Sequence, residues 1–207
     1  MNDGLAGLVL AGGKSTRLGM DKVGLPFSGE TLLSRTVGLA RERCRDVYVS
    51  GRDPAGLEFD CPWIADEVAG IGPMGGILTG LRQIGRPLLV LACDMPLLDG
   101  AVLSCLVKER AARPQNAVMT TFRQIETGFI ESLVAIYEPE AAPFLNLARE
   151  SGVYQLSRAI PKEMVHHLDY GQSEASVFFN INYPADLAVL RRVTALECAN
   201  ARVQEVA

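Results

Sequence analysis

The stretch LAGLVLAGG, residues 5–13, decides the fold of this chain, because an apolar run there ends abruptly in two glycines. Residues 5–10 are continuous and apolar, which predicts a buried β-strand rather than a half-exposed one. Adjacent glycines do not extend a strand, so Gly12 and Gly13 predict a loop. The sequence therefore predicts a buried strand that leads directly into a glycine-rich loop.

Strand and helix patterns alternate along the rest of the chain. Further strands are predicted at residues 46–50, 62–65, 87–93, 118–122, 132–137 and 177–181. Helices are predicted at residues 31–43, 73–83, 101–112 and 139–150, and another begins at 185. Thr31 is the expected N-cap of the first helix. This alternation predicts an α/β fold whose mostly parallel sheet is covered by helices on both faces.

Bulk composition excludes several classes of protein. A chain of 207 residues suits one domain with one core, and its net charge of -4 argues against a nucleic-acid partner. No stretch has the ~18 consecutive apolar residues of a membrane span, and the N-terminus lacks the basic region of a signal peptide. Five cysteines without Cys-x-x-Cys spacing favour buried thiols in a reducing cytoplasm over disulfides or zinc.

The segment LAGGKSTRLGMDK, residues 10–22, has the chemistry of a phosphate-binding loop. Its adjacent glycines leave backbone N–H groups accessible to a ligand, because no side chain stands in the way. Arg17 and Lys22 add positive charge, the first as a planar fork and the second as a mobile point charge. A tight turn with solvated basic residues is the alternative. The residues of this segment predicted to bind a nucleotide are Leu10, Ala11, Gly12, Gly13 and Lys22.

A P-loop is a rival interpretation of the same segment. Gly13, Lys14 and Ser15 resemble the end of that motif, and residues 87–94 resemble its partner strand with a terminal Asp. The P-loop needs four residues between its first glycine and the Gly-Lys pair, which places that glycine at position 8. Position 8 is Leu, and Gly7 lies one residue too early, inside the predicted strand. The spacing therefore favours a different kind of phosphate loop.

The segment ACDMP, residues 92–96, places a carboxylate at the tip of a buried strand. A carboxylate is a good hard ligand for Mg2+, and the proline that follows turns the chain outward. Asp94 as the N-cap of a short turn is the alternative. Because a phosphate loop is predicted nearby, we expect Asp94 to bind a metal ion and to take part in catalysis.

Two more segments contain candidate ligand residues. Asp66 precedes the glycine-rich loop GPMGG, residues 72–76, and we expect Asp66, Gly72 and Gly75 to contact the nucleotide, unless the loop is a plain helix entry at its proline. Asn180 and Asn182 in FFNINYPAD, residues 178–186, fall on one face of a predicted strand end. The alternative there is that Asn182 caps the following helix.

These segments, in this order, resemble the MobA-type molybdenum cofactor guanylyltransferases of the MobA-like NTP transferase family. The family's opening motif is matched by Leu10, Ala11, Gly12, Gly13, Ser15, Arg17, Gly19, Asp21 and Lys22, with Leu18 where the family has Met. Residues 72–76, 93–96 and 178–186 match its later motifs, with Tyr183 where the family has Thr. Residues 119–177 match no motif. The resemblance otherwise covers nearly the whole chain.

The resemblance implies a Rossmann-like nucleotidyltransferase fold in one domain, residues 1–207, with a nucleotide half (about 1–115), an acceptor half (about 116–193) and a C-terminal helical tail. It implies transfer of GMP from GTP to molybdopterin, with Mg2+ and release of pyrophosphate. It further implies that Arg17, Lys22 and Asp94 are catalytic, that Asp94 holds the metal, and that Asn180 and Asn182 bind the acceptor. Other cofactor-biosynthesis proteins or recipient molybdoenzymes are implied as transient partners.

Other activities remain open. Gly12 favours GTP because the cytidylyl relatives usually read Leu-Ala-Ala-Gly at this loop, but a cytidylyltransferase or a transferase for another phosphorylated acceptor fits the same motifs. A non-catalytic nucleotide-binding module is a third alternative. Arg17, Lys22 and Asp94 argue against it, since binding alone would not need all three. The expected location is the cytoplasm, with no membrane partner.

Overall fold

The computed structural model describes residues 4–12, 24–51, 61–68, 70–190 and 192. Their strands are β1 (Ala6–Leu10), β2 (Pro26–Phe27), β3 (Glu30–Thr31), β4 (Val47–Ser50), β5 (Trp63–Ile64), β6 (Leu88–Ala92), β7 (Met119–Gln124), β8 (Ile130–Tyr137) and β9 (Val165–Tyr170). Their α-helices are α1 (Leu32–Arg41), α2 (Pro73–Ile84), α3 (Gly100–Ala112), α4 (Ala142–Glu150), α5 (Leu156–Ala159) and α6, which begins at residue 184. Within the described ranges, no helix is long and apolar enough to cross a membrane.

Seven strands form one sheet in the order β5-β4-β1-β6-β8-β7-β9, and β2 and β3 form a separate hairpin. Neighbouring strands of the large sheet run parallel, except that β8 is antiparallel to both β6 and β7. The predicted mostly parallel sheet is confirmed. Because β1, β4, β5 and β6 run in the same direction, their carboxyl ends meet at one edge of the sheet, where open α/β sheets bind their ligands.

Helices cover both faces of the sheet, as predicted. Alternate side chains of β1 enter different cores, so that Val9 packs with α1 and α3 while Leu8 packs with α2, α4 and α5. All five residues of β1 and all five of β6 are buried. These continuous apolar runs are required because a central parallel strand is covered by helices on both sides.

The termini of α1 and α2 follow from local sequence. The Thr31 hydroxyl accepts a hydrogen bond from the Ser34 N–H at 3.1 Å, which confirms the predicted N-cap of α1. Pro73 is the first residue of α2. The N–H of a residue at this position makes no hydrogen bond within the helix, so a proline there costs the helix nothing. At the other end of α2, Gly85 adopts a φ of +65°, the left-handed conformation that commonly ends helices.

The predicted strand at residues 177–181 is wrong. Residues Gln172–Phe178 form a 3-10 helix, and the last strand of the sheet is β9, which the sequence did not predict. Of the apolar side chains at 177–181, Phe178 and Ile181 are buried, and they belong to different clusters. The centroid of the Phe178 ring lies 4.6 Å from that of Tyr170 and 5.1 Å from that of Phe122. Since β9 is an edge strand paired only with β7, it needs few apolar residues.

Strand β8 contains a bulge opposite β7. Thr121 pairs with Ala135 and Arg123 pairs with Ile130, so two steps along β7 correspond to five along β8. Residues 131–134 of β8 therefore lie opposite the single residue Phe122 of β7, and we call these four residues the β8 bulge. The bulge re-aims side chains that strict alternation would place on opposite faces of the sheet.

Candidate functional site

The candidate site lies at the edge where β1, β4, β5 and β6 end. The Ala11 N–H donates to the Ser50 carbonyl at 2.9 Å, which continues the pairing of β1 with β4 beyond the strand. On the other side, the Cys93 N–H donates to the Leu10 carbonyl at 3.4 Å. The residues that follow these strands therefore lie close together, and they include the predicted ligand residues Gly12 and Asp94.

Gly51 and Gly12 form a contact between two backbones. Gly51 has a φ of +103°, and a Cβ placed on it would lie 2.5 Å from the Gly12 nitrogen and 2.6 Å from its Cα. No side chain fits in that space, so the chain after β4 passes directly against the chain after β1. Gly12 is exposed, so its backbone is accessible to a ligand.

The beginning of α2 packs against the ends of β1 and β4 through glycine. A Cβ on Gly76 would lie 2.6 Å from the Ser50 hydroxyl oxygen and 3.0 Å from a methyl carbon of Leu10. One on Gly75 would lie 2.7 Å from the Val68 carbonyl oxygen. Gly72, the exposed N-cap, offers no side chain to the first N–H groups of the helix. The N-terminus of α2 can therefore approach an anionic ligand closely.

Asp66 follows β5 and lies at this same helix N-terminus. The Ser50 hydroxyl donates a hydrogen bond of 2.5 Å to Oδ1 of Asp66, which fixes the carboxylate across the end of β4. The carboxylate also lies beside the two buried glycines of α2, because a Cβ on Gly76 would be 3.4 Å from Oδ1 and one on Gly75 3.7 Å from Oδ2. The structure thus places Asp66 beside Gly75 at the start of the helix that Gly72 caps, and the contact of these residues with a nucleotide stays a prediction.

Asp94 follows β6 and is half-buried. Its carbonyl accepts a hydrogen bond of 2.9 Å from the Ile181 N–H, which places the chain around Asn180 beside the end of β6. The chain after Asp94 is held to α1 by Arg35, whose guanidinium donates to the Pro96 carbonyl at 2.9 Å and to the Leu98 carbonyl at 3.2 Å. The position of Asp94 is therefore fixed from two sides.

Asn180 and Asn182 do not share a strand face, because the chain around them forms no strand. Asn180 is half-buried, and its Oδ1 is buried with no hydrogen-bond partner among the described residues. Asn182 is exposed. At the start of α6, the Asp186 carboxylate accepts from the N–H groups of Asn182 and Tyr183, each at 2.7 Å.

Three predicted site residues, Gly13, Arg17 and Lys22, lie outside the described residues, so the basic part of the phosphate loop stays a prediction. Two residues of the site, Ser50 and Gly76, were not named as ligand residues from the sequence. A hydroxyl at the end of an apolar strand was the available signal for Ser50, and the second glycine of an adjacent pair was the signal for Gly76.

A cavity of about 200 Å³ lies next to Asp94, on the side of β8. Met95, Glu131, Ser132, Gln155 and Asn180 are among its lining residues. It adjoins a groove of about 500 Å³ that includes Arg158 and Lys162. Residues 119–177, which match no sequence motif, therefore supply most of the lining. Burial raises the pKa of Glu131, an effect that the hydrogen bond from the Tyr170 hydroxyl at 2.6 Å opposes.

Residues 7–168 match the model of the MobA-like NTP transferase domain. A probable molybdenum cofactor guanylyltransferase from Chloroflexus aggregans is 30% identical over 199 residues, which cover 90% of this chain and 93% of that protein. A molybdenum cofactor biosynthesis bifunctional protein from Synechocystis sp. is 30% identical over 189 residues, covering 88% of this chain. The match spans 52% of that bifunctional protein, about half of its length.

The fold is also found among solved structures. The crystal structure of molybdopterin-guanine dinucleotide biosynthesis protein A from Archaeoglobus fulgidus superposes with a TM-score of 0.73 at 25% identity. The superposition covers 92% of this chain and 98% of that one. The predicted nucleotidyltransferase fold is therefore confirmed.

Proposed function

The chain belongs to the MobA-like NTP transferase family, and on that premise we propose that it transfers GMP from GTP to molybdopterin and releases pyrophosphate. The observation that supports this most strongly is the edge of the sheet where the bare backbone of Gly12 and the Asp94 carboxylate follow neighbouring strands. A phosphate chain and a metal-binding carboxylate belong together in nucleotidyl transfer. The acceptor, molybdopterin, is suggested by the molybdenum cofactor in the relatives' names and by the molybdopterin-guanine dinucleotide in the name of the Archaeoglobus protein.

The reaction joins a phosphate oxygen of molybdopterin to the α-phosphorus of GTP. The attack is in line, the bond from the α-phosphorus to the bridging oxygen breaks, and pyrophosphate leaves. Positioning and charge stabilisation supply most of the rate enhancement. Gly12 and Gly13 N–H groups would hold phosphate oxygens, while Arg17 and Lys22 would stabilise the charge that develops on the leaving group. Asp66 and the start of α2 would bind the nucleoside.

Asp94 fits an Mg2+ site in which the phosphates of the substrate supply some of the metal ligands. Among the residues that the structure describes, no group of three His, Cys, Asp or Glu side chains could hold a metal by itself. Mg2+ in nucleotide enzymes is commonly held by one or two carboxylates together with substrate phosphates and water. Asp94 would supply that carboxylate, and the bound ion would offset negative charge on the phosphates.

GTP is the expected nucleotide because Gly12 stands where cytidylyl relatives have Ala. We expect the enzyme to work in the cytoplasm, where its thiols, among them that of the buried Cys44, stay reduced. Other cofactor-biosynthesis proteins or recipient molybdoenzymes would contact it transiently. A cytidylyltransferase, a transferase for another phosphorylated acceptor and a nucleotide-binding module remain the alternatives.

Pyrophosphate release tests the proposal. The purified protein is given Mg2+ with GTP, CTP or ATP, each with and without molybdopterin. Release with GTP that requires molybdopterin is the expected result. Release with CTP instead would overturn the base assignment, and nucleotide binding without pyrophosphate release would support another acceptor or the binding module.

Asp94→Asn tests the central carboxylate, with Asp99→Asn as a matched control. Asp94→Asn should lower turnover about a hundredfold or more, because losing one such charge contact removes ~3 kcal/mol of transition-state stabilisation. Asp99 lies five positions later and only caps α3, where its carboxylate accepts from the Val102 N–H at 2.9 Å. Asn is an equally good cap, so Asp99→Asn should keep full activity. Equal activity in both variants would refute the role of Asp94.

A further inference from the structure

Two residues that line the cavity next to Asp94 each carry a buried polar atom that has no hydrogen-bond partner among the described residues. Ser132 is 9% exposed, and its hydroxyl oxygen makes no hydrogen bond within the described residues. The same holds for Oδ1 of Asn180. Both residues line the cavity of about 200 Å³. Leaving such groups unsatisfied is unfavourable, so two of them in one cavity indicate a ligand that pairs with them.

The β8 bulge places neighbouring residues on the same cavity. In a regular strand, Glu131 and Ser132 would point to opposite faces of the sheet, yet both line this cavity. The bulge is held by two buried hydroxyls. That of Thr121 lies 2.8 Å from the Glu131 carbonyl and 3.3 Å from the Val134 carbonyl, and that of Tyr137 donates to the Ser132 carbonyl at 2.9 Å. Side chains outside the cavity therefore stabilise the conformation that forms it.

Glu131 presents a carboxyl group to the cavity with one oxygen already bound. The Tyr170 hydroxyl donates to its Oε1 at 2.6 Å, and the Tyr170 ring is fixed by its contact with Phe178. No lysine, arginine or histidine of the described ranges forms a salt bridge with Glu131, although it is only 5% exposed. A buried carboxyl group without a cation is suited to accept N–H groups from a ligand.

The rest of the cavity is suited to a flat ring. Met95, Leu133 and Leu156 are among its apolar lining residues, and the polar ones are Glu131, Ser132, Gln155, Ser157 and Asn180. The cavity also lies beside the reaction centre, because Met95 follows Asp94 directly and Ile181, next to Asn180, donates to the Asp94 carbonyl. A ring bound here would belong to a substrate whose other end reaches Asp94.

We propose that this cavity binds the hydrogen-bonding edge of the acceptor's heterocycle. Glu131 accepts N–H groups of an amino-pyrimidinone edge, Ser132 and Asn180 complete the recognition, and Thr121 and Tyr137 are positioning residues that maintain the β8 bulge. The inference rests on the proposed function, in which the acceptor is a pterin. It assigns a part in the choice of acceptor to Glu131 and Ser132, which no sequence motif marks, beside Asn180, which the sequence had already indicated.

Kinetics of Ser132→Ala and Glu131→Gln test the assignment. Each variant should raise the KM for molybdopterin about tenfold or more and leave the KM for GTP unchanged, because a lost hydrogen bond weakens binding by this order. Ser132→Ala is the cleaner variant, since among the described residues its hydroxyl has no partner whose loss could disturb folding. Glu138→Gln is the matched control: Glu138 is a buried carboxyl of the same strand region, but it pairs with Arg110 and Arg113. It should lower stability and leave the KM for molybdopterin unchanged.

Binding of two ring compounds tests the chemistry without turnover. Pterin carries the amino group that Glu131 would accept from, whereas lumazine has a carbonyl oxygen in its place. Fluorescence titration should show that the wild type prefers pterin about tenfold, and that Glu131→Gln loses this preference. Equal affinity for both rings in the wild type, or an unchanged preference in Glu131→Gln, would overturn the inference.

The two proposals fail separately. Molybdopterin-dependent pyrophosphate release with wild-type KM values in Ser132→Ala and Glu131→Gln would remove the cavity assignment and leave the proposed function intact. No pyrophosphate release from the wild type, together with a pterin preference that depends on Glu131, would remove the proposed function and keep the ring-binding cavity.

Discussion

Because Gly51 lies directly against the backbone of Gly12, we expect that position 51 does not tolerate a side chain. Gly51→Ala combines a φ of +103° with a Cβ 2.5 Å from the Gly12 nitrogen. It should therefore lower the free energy of unfolding by roughly 1–3 kcal/mol from backbone strain alone, and the clash should also displace the phosphate loop and raise the KM for GTP. Urea unfolding and GTP titration measure the two effects.

Gly29 provides the control for this substitution. It also has a positive φ, +90°, but a Cβ there would meet nothing within 4 Å. Gly29→Ala should show the strain without the clash, and hence a similar or smaller loss of stability with unchanged GTP binding. An equal KM for GTP in the two variants would contradict the proposed tight approach at Gly12.

His167 predicts a loss of stability in acid. Burial lowers its pKa, positive charge at Arg123 lowers it further, and its Nδ1 is buried without a hydrogen-bond partner among the described residues. In the unfolded state His167 binds a proton near its ordinary pKa of 6.5, whereas in the folded state it binds one only at lower pH. The folded state is therefore most stable relative to the unfolded state above pH 6.5, and this stability is lost as the pH falls below that value. His167→Gln should unfold with a flatter pH dependence between about 7.5 and 5 than the wild type.

His166→Gln is the matched variant for that measurement, since it removes the neighbouring imidazole on β9, whose ring contacts Glu109 at 3.4 Å. It should keep the acid decline. A wild-type slope that persists in His167→Gln would show that the decline comes from other groups.

At the scale of secondary-structure elements, Glu138 joins the end of β8 to the end of α3. The Arg110 guanidinium donates to both of its carboxylate oxygens, at 2.7 and 2.9 Å, and Arg113 approaches to 3.2 Å. Glu138 is 4% exposed. Breaking such a buried pair leaves unpaired cations, so Glu138→Gln should lower the free energy of unfolding by about 3 kcal/mol, measured by urea denaturation.

The pair Arg86–Asp46 is the comparison, because it is as short, at 2.7 Å, but largely solvated. Asp46→Asn should change stability by less than about 1 kcal/mol. A loss in Asp46→Asn as large as that in Glu138→Gln would mean that burial does not determine the strength of these pairs.

Elements whose sequence pattern reflects local physics were predictable, and those that depend on tertiary partners were not. The apolar run of β6 and the Thr31 cap of α1 carry their own signals, and the structure confirms both. In β9, only Val165, Leu168 and Tyr170 are apolar or aromatic, because an edge strand needs little burial. The apolar segment at 177–181 was predicted as a strand, but its apolar residues do not belong to the sheet. Phe178, for example, is buried against the rings of Phe122 and Tyr170.

The candidate site shows the same division. Glycines and carboxylates after apolar runs predicted Gly12, Gly75, Asp66 and Asp94, because a ligand edge of a parallel sheet requires these residue types. The hydrogen bond from Ser50 to Asp66 spans 16 positions of sequence, and the contact from Tyr170 to Glu131 spans 39. No local pattern encodes such pairs. The β8 bulge likewise depends on hydroxyls of other positions, those of Thr121 and Tyr137.

At the scale of the whole molecule, one sheet joins the predicted nucleotide and acceptor halves. β6 of the first half pairs with β8 of the second over four residue pairs, and the cavity next to Asp94 uses residues from both. Separating the halves would expose the buried sides of β6 and β8 and leave their ladder groups unpaired. The halves are therefore expected to unfold together, as one cooperative unit.

Trp63, the only tryptophan of the chain, makes this testable because it lies in β5, at the edge of the sheet farthest from β9. Its fluorescence and the far-UV circular dichroism of the whole chain should report the same urea midpoint. Saturating GTP, at a hundred times its Kd, should raise the stability seen by both probes by about 2.7 kcal/mol. Glu138→Gln, which breaks the pair between β8 of the acceptor half and α3 of the nucleotide half, should lower the Trp63 midpoint as much as the dichroism midpoint. A urea midpoint from Trp63 fluorescence that is unchanged in Glu138→Gln would show that the two halves fold independently, despite their shared sheet.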